Sequence, residues 1–133
     1  MSGIYVLSYN VGQEKYTIER VEKYKHSWPN HLTKYSSESY RHFMAKSCLF
    51  YLLRKMGHDL RTEWKVPNGY VDIVDMTTRV MYELEFHVAP SVRNRKIEQY
   101  RQPGFEIIII NCSRLPDDIN AMMEYVERYV VPD

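Results

Sequence analysis

Residues 69–86 read GYVDIVDMTTRVMYELEF, and the reading of the whole chain turns on this stretch. Val71, Ile73 and Val74 form an apolar, β-branched run that encloses a single acid, Asp72. A carboxylate has no place in an ordinary buried strand unless it is paired or bound to something. Met76 to Thr78 then turn the chain into RVMYELEFHV. Strand alternation there sends Glu83, Glu85 and His87 to one face and Tyr82, Leu84 and Phe86 to the other. If the two strands pair through the short turn, Asp72 comes close to the face of Glu83 and Glu85, and three acids share one small volume. Without Asp72, Glu83 and Glu85 read equally well as the solvated face of an amphipathic strand. Asp72 could also pair with Lys65 or Arg79. Asp75 borders the turn, where a carboxylate commonly bonds the turn backbone.

Upstream, LRTEWKVP (60–67) alternates strictly, with Leu60, Thr62, Trp64 and Val66 on one side and Arg61, Glu63 and Lys65 on a solvated side. Pro67, Asn68 and Gly69 turn that strand into the next, so three strands with short connections predict an antiparallel meander. Further upstream, SESYRHFMAKSCLFYLLRKMG (37–57) spaces Tyr40, Phe43, Met44, Ser47, Phe50 and Leu53 at helical intervals. A cap at Ser37, Glu38 in the first turn and Gly57 after Arg54 and Lys55 frame a helix. Downstream, Pro90 and Ser91 open a helical segment, VRNRKIEQYRQ, closed by Pro103 and Gly104. FEIIIIN (105–111) is an unbroken apolar run, expected to be a strand buried on both faces rather than at an edge. Pro116, Asp117 and Asp118 start a last helix with Ile119, Met122, Met123, Val126, Tyr129 and Val130 on its stripe.

Residues 4–9 and 15–21 read as an N-terminal β-hairpin around Asn10, Val11 and Gly12. Residues 22–37 show neither period and read as a connecting segment. The expected architecture is therefore an α/β domain with a central mixed β-sheet flanked by α-helices and extended by that hairpin. Residues 1–36 form the extension and 37–133 the core of a single compact domain.

Composition narrows the classes of function. The chain has 133 residues, 44% of them apolar, with 18 Lys plus Arg against 17 Asp plus Glu. That balance excludes a histone-like or acidic-tail protein but leaves room for a local basic patch. No apolar run approaches the roughly 20 residues of a membrane span. Nothing at the N-terminus resembles a secretion signal, so an intracellular, cytoplasmic location is expected. Cys48 and Cys112 lie far apart without CxxC spacing and read as buried, reduced thiols.

Three neighbouring carboxylates repel one another and need a cation. An all-oxygen ligand set selects a hard ion, Mg2+ or Mn2+, rather than zinc. Such an ion can lower the pKa of a bound water and stabilise charge on a phosphodiester under in-line attack.

The order of elements and acids is similar to that of the PD-(D/E)XK nuclease family. A helix is followed by GYVDIV, ten residues between Asp72 and Glu83, then ELE, a helix and an apolar strand, over residues 37–131. The resemblance implies a restriction-endonuclease-like core, with Asp72 and Glu83 as metal-binding acids and the Leu84 carbonyl facing the metal. The family's lysine position falls on Glu85, a departure seen in some members, where it implies a further metal ligand or a group that positions water. Val71 stands in place of the family's proline. Archaeal Holliday-junction resolvases also carry an acid near the start of the first helix, which nominates Glu38 as a further ligand. The helix after the second acid nominates Lys96 and Gln99 as catalytic contacts to phosphate or water.

Arg41, His42 and Lys46 on the first helix, with Arg93, Arg95 and Lys96 on the second, flank this site and are candidate DNA contacts. The expected activity is metal-dependent hydrolysis of DNA. The alternatives are a non-catalytic nucleic-acid-binding or assembly protein with the same fold, and a ribonuclease acting on RNA. A homodimer is compatible with any of them.

Overall fold

The structure is a computed structural model, and it describes residues 4–10, 15–21, 29–34, 38–87 and 89–132. Helix α1 spans Tyr40–Lys55. Its N-cap is Ser39, whose hydroxyl accepts the His42 N–H at 3.1 Å. This shifts the expected cap: Ser37 lies outside the described residues, and Glu38 precedes the helix instead of entering its first turn. Arg54 and Lys55 complement the dipole of the last turn. Gly57, at φ +82°, then takes the left-handed conformation that ends the helix.

Strands β4 (Leu60–Val66), β5 (Gly69–Asp75) and β6 (Val80–Glu85) form the expected antiparallel meander. Asp75 has the turn role read from its position, since its Oδ1 accepts the N–H groups of Thr77 at 2.9 Å and Thr78 at 3.3 Å. Strand β7 (Glu106–Asn111) runs parallel to β6, a pairing that needs a crossover, and helix α2 (Pro90–Tyr100) supplies it. Helix α3 (Ile119–Glu127) is capped by Asp118, whose carboxylate accepts the Ala121 N–H at 3.0 Å. The expected stripe outruns this helix: Tyr129 and Val130 follow it, yet still pack on the core.

The strand order is β4-β5-β6-β7, a mixed sheet of four strands with helices on its faces. One expectation is corrected here. β7 stands at the edge of this sheet among the described residues, although Ile109 and Ile110 are buried. An apolar run reports that both faces are covered and is silent about a strand's place in the lateral order.

Strands β1 (Ile4–Asn10), β2 (Lys15–Val21) and β3 (His31–Lys34) make a second, antiparallel sheet in the order β2-β1-β3. β3 falls inside the stretch, residues 22–37, that read as a connecting segment with neither period. The reading of residues 11–14, 22–28 and 35–37 lies outside the described residues.

The main core lies between the sheet and helices α1 and α3, where Leu49, Leu53, Ile73, Tyr82, Leu84, Ile110 and Val126 meet. Each such side chain contributes about 1.5–3 kcal/mol by leaving water. A smaller core of Val66, Val71, Val74, Met81 and Tyr100 lies under α2. Of the acids of β5 and β6, Asp72 meets α1 through His42, and Glu83 and Glu85 meet α2 through Lys96. No helix among the described residues is long and apolar enough to cross a membrane.

Candidate functional site

The β5–β6 pairing runs from Asp75↔Val80 to Ile73↔Tyr82 and ends there. Beyond that point the carboxylates replace the ladder. The Asp72 N–H donates to Glu83 Oε1 at 2.7 Å, and the Leu84 N–H donates to Asp72 Oδ2 at 2.9 Å. On the other side of β5, Thr62 pairs with Ile73 and Trp64 with Val71, while Glu63 between them has φ +48°. Asp72 therefore sits where regular pairing gives way on both of its flanks.

Around this opening the charged groups form one connected cluster. Lys96 of α2 places its Nζ 2.6 Å from Glu85 Oε1 and 3.6 Å from Glu83 Oε2. From α1, His42 Nε2 lies 3.3 Å from Asp72 Oδ2, and its Nδ1 donates to Glu38 Oε2. Lys46, completely buried, donates to the Thr33 carbonyl at 2.7 Å, to Glu38 Oε1 at 3.0 Å and to Glu63 Oε1 at 3.1 Å. Five carboxylates, Glu38, Glu63, Asp72, Glu83 and Glu85, thus face three cations, His42, Lys46 and Lys96. With all of them ionised, two negative charges are left over.

The proton affinities reflect that imbalance. Burial, reinforced by the Asp72 charge, holds the Glu83 carboxyl well above the usual carboxylate range. Burial likewise lifts Glu63 to about 7, against the attraction of Lys46 and with smaller contributions from the Asp72 and Glu38 charges. For His42, burial opposes the charge, but Asp72 and Glu38 overcome it and raise the imidazole to about 10. Burial also works against charge on Glu38, where His42 and Lys46 prevail and lower its pKa. Lys96 is raised because Glu85 and Glu83 outweigh its desolvation.

No family model, curated protein or solved structure matches this chain.

Asp72, Glu83, Glu85 and Lys96 are gathered in one place, and Glu38 joins them through His42. Gln99 is not, because its amide donates to the Asn68 carbonyl at 2.7 Å and docks α2 on the β4–β5 turn. Of the residues expected at a DNA surface, Arg93 and Arg95 are exposed on the first turns of α2. Arg41 is exposed but engaged, its guanidinium meeting the Leu115 carbonyl and, at 3.5 Å, Asp117. Lys46 and His42 point inward and hold the acids instead of the surface. Neither Lys65 nor Arg79 is the partner of Asp72, their cations lying over the rings of Tyr70 and Phe105.

Two site residues escaped the sequence reading. Glu63 belonged by alternation to the solvated side of β4, yet it is buried against Lys46. Tyr100 lies under Lys96, whose Nζ is 5.4 Å from the ring centroid. The spacing of Lys96 and Tyr100, four apart on α2, was the available signal.

Among the described residues no group of three or more His, Cys, Asp or Glu side chains is set to hold a metal ion. As placed, Glu83 Oε1 and Asp72 Oδ2 accept backbone N–H groups, and Glu85 is paired with Lys96. The donor chemistry is of the kind a hard divalent cation takes, since Asp72, Glu83 and Glu85 offer carboxylate oxygens.

Proposed function

We propose that this chain is a metal-dependent nuclease of restriction-endonuclease-like fold acting on DNA. The observation that carries this reading is the opening of the β5–β6 ladder at Asp72 and Glu83, two buried acids of which the first meets His42 of α1 and the second Lys96 of α2. Asp72 and Glu83, with the Leu84 carbonyl, would hold Mg2+ or Mn2+, and Glu38 would act at a distance through His42. The ion would supply charge stabilisation at the phosphodiester and a bound water of lowered pKa.

The chain's own groups supply the rest. Glu85 occupies the family's lysine position, and the missing ammonium comes from Lys96, 2.6 Å away. Lys96 would turn to a phosphate oxygen and stabilise charge that builds up during displacement. Glu85, released from it, would orient the attacking water. His42 fixes the Asp72 carboxylate from the α1 side, while Arg93 and Arg95 would meet the flanking backbone phosphates.

A second reading is favoured by the Lys96–Glu85 ion pair itself, which closes the site without a metal: a protein that binds nucleic acid through this fold without cleaving it. Incubation of plasmid, single-stranded and branched DNA, and of RNA, with Mg2+ or Mn2+ separates the readings. The proposal expects cleavage of DNA that is lost in Asp72→Ala. Binding without cleavage supports the second reading, and preferential loss of RNA makes the protein a ribonuclease.

A further inference from the structure

Among the described residues the four-stranded sheet is covered along one edge only. At the β4 edge, the Asn30 N–H donates to the Leu60 carbonyl and the Leu60 N–H to Asn30 Oδ1, both at 2.7 Å. The Thr62 hydroxyl adds a bond to the His31 carbonyl of β3. At the β7 edge no strand follows among the described residues.

Two hydrogen bonds at the ends of β7 fix which way its backbone faces. The Glu106 N–H donates to the Arg79 carbonyl at 3.0 Å, and the Cys112 N–H donates to the Glu85 carbonyl at 2.7 Å. Successive residues of a strand turn their N–H and C=O alternately to one neighbour and to the other. Glu106, Ile108, Ile110 and Cys112 therefore bond to β6, while Ile107, Ile109 and Asn111 face outward. The Asn111 carbonyl is taken by the Tyr125 hydroxyl. Ile107 and Ile109 together present two donors and two acceptors on the open edge.

The sequence there, EIIIIN, has none of the usual protection against pairing, with no proline, glycine or lysine between Glu106 and Asn111. We propose that a second copy of this chain pairs with β7, antiparallel about a two-fold axis through Ile108, to make one continuous sheet across the dimer. The parity selects that axis. Outward residues must meet outward residues, and an axis at Ile108 sets Ile107 against the partner's Ile109 and the reverse, forming four hydrogen bonds. An axis at Ile109 would instead set Ile107 against Asn111, whose carbonyl is already engaged. The β-branched side chains suit cross-strand contact on both faces. Because β4 is covered, assembly closes at two copies. This inference is independent of whether the acidic site cleaves DNA.

Sedimentation equilibrium of the full chain tests it, together with two cysteine variants. Residues on the axis form a non-hydrogen-bonded pair with Cα atoms about 4.5 Å apart, within disulfide reach. Ile108→Cys therefore oxidises to a covalent dimer, while Ile107→Cys does so far less because Ile109 lies opposite it. Cys48 and Cys112 are buried, so the unaltered chain gives the background. Ile109→Pro removes an outward donor and spares the ladder to β6, so it weakens association by about tenfold while the circular dichroism is retained. A monomer at every concentration, or equal cross-linking of the two cysteine variants, overturns the proposal.

Discussion

Asp72 gives its backbone N–H to the side chain of Glu83, at 2.7 Å, where a carbonyl would serve in an uninterrupted sheet. The two acids are thereby fixed relative to each other by the main chain, at burial that leaves Glu83 only 4% exposed. Such a carboxylate stays ionised only with help, which ties the local break in strand pairing to a demand for positive charge.

Lys96 answers part of that demand. In Lys96→Met, Glu83 and Glu85 lose their cation, so affinity for Mn2+ should rise by about tenfold while DNA cleavage falls by about 10²-fold. Calorimetric Mn2+ titration and single-turnover cleavage check the two halves. A simultaneous fall in metal affinity would show that Lys96 supports the ligands by position and not by charge.

Lys46 is the structural counterpart. Its removal in Lys46→Met leaves Glu38 and Glu63 without their buried cation and the Thr33 carbonyl without its donor, at an expected cost of about 3–5 kcal/mol. Urea unfolding measures this loss. Adding Glu63→Gln to the same variant should recover part of it, because one of the two acids that Lys46 neutralises is then uncharged.

Two of the groups with raised pKa, Glu63 and His42, give stability a pH dependence that can be assigned. Glu63 has a folded pKa of about 7 against its ordinary 4.5, so folding favours its protonated form and stability falls as pH rises from about 4.5 through about 7. His42 is raised from 6.5 to about 10, so its contribution is complete below about 6.5 and is lost as pH climbs through about 10. Urea midpoints across this range should decline in steps. Glu63→Gln should flatten the lower part and His42→Gln the upper part, and unchanged slopes would contradict the burial of Glu63 and the ion pairs of His42.

Besides the Gln99–Asn68 bond, the β4–β5 turn meets α2 closely at Gly69. A Cβ on Gly69 would fall 2.8 Å from Tyr100 Cε1, and its φ of +154° is itself unfavourable for other residues. Gly69→Ala should therefore cost about 1–3 kcal/mol in thermal or urea unfolding. Tyr100→Leu in the same chain should restore some of that loss by vacating the space.

Much of this arrangement is legible in the sequence because its signals are local. Alternation in residues 80–85 puts Glu83 and Glu85 on one side, the short Met76–Thr78 turn brings Asp72 near them, and the Pro90 start places Lys96 on the following helix. Glu63 was hidden because alternation presumes an even strand, whereas its positive φ and Lys46 carry it inward. Lys46 read as a DNA contact because a lysine on a helix is expected to reach water, and the partners that bury it come from elements distant in sequence. The edge position of β7 was hidden because hydropathy records burial and not lateral neighbours.

The most direct test of the account is single-turnover cleavage of end-labelled branched and linear DNA by the chain and by Asp72→Asn, with the far-ultraviolet circular dichroism of both recorded in parallel. The account predicts Mg2+- or Mn2+-dependent cleavage that chelation abolishes and that folded Asp72→Asn lacks. Equal cleavage by the two proteins, or none by either under any divalent ion, would contradict it.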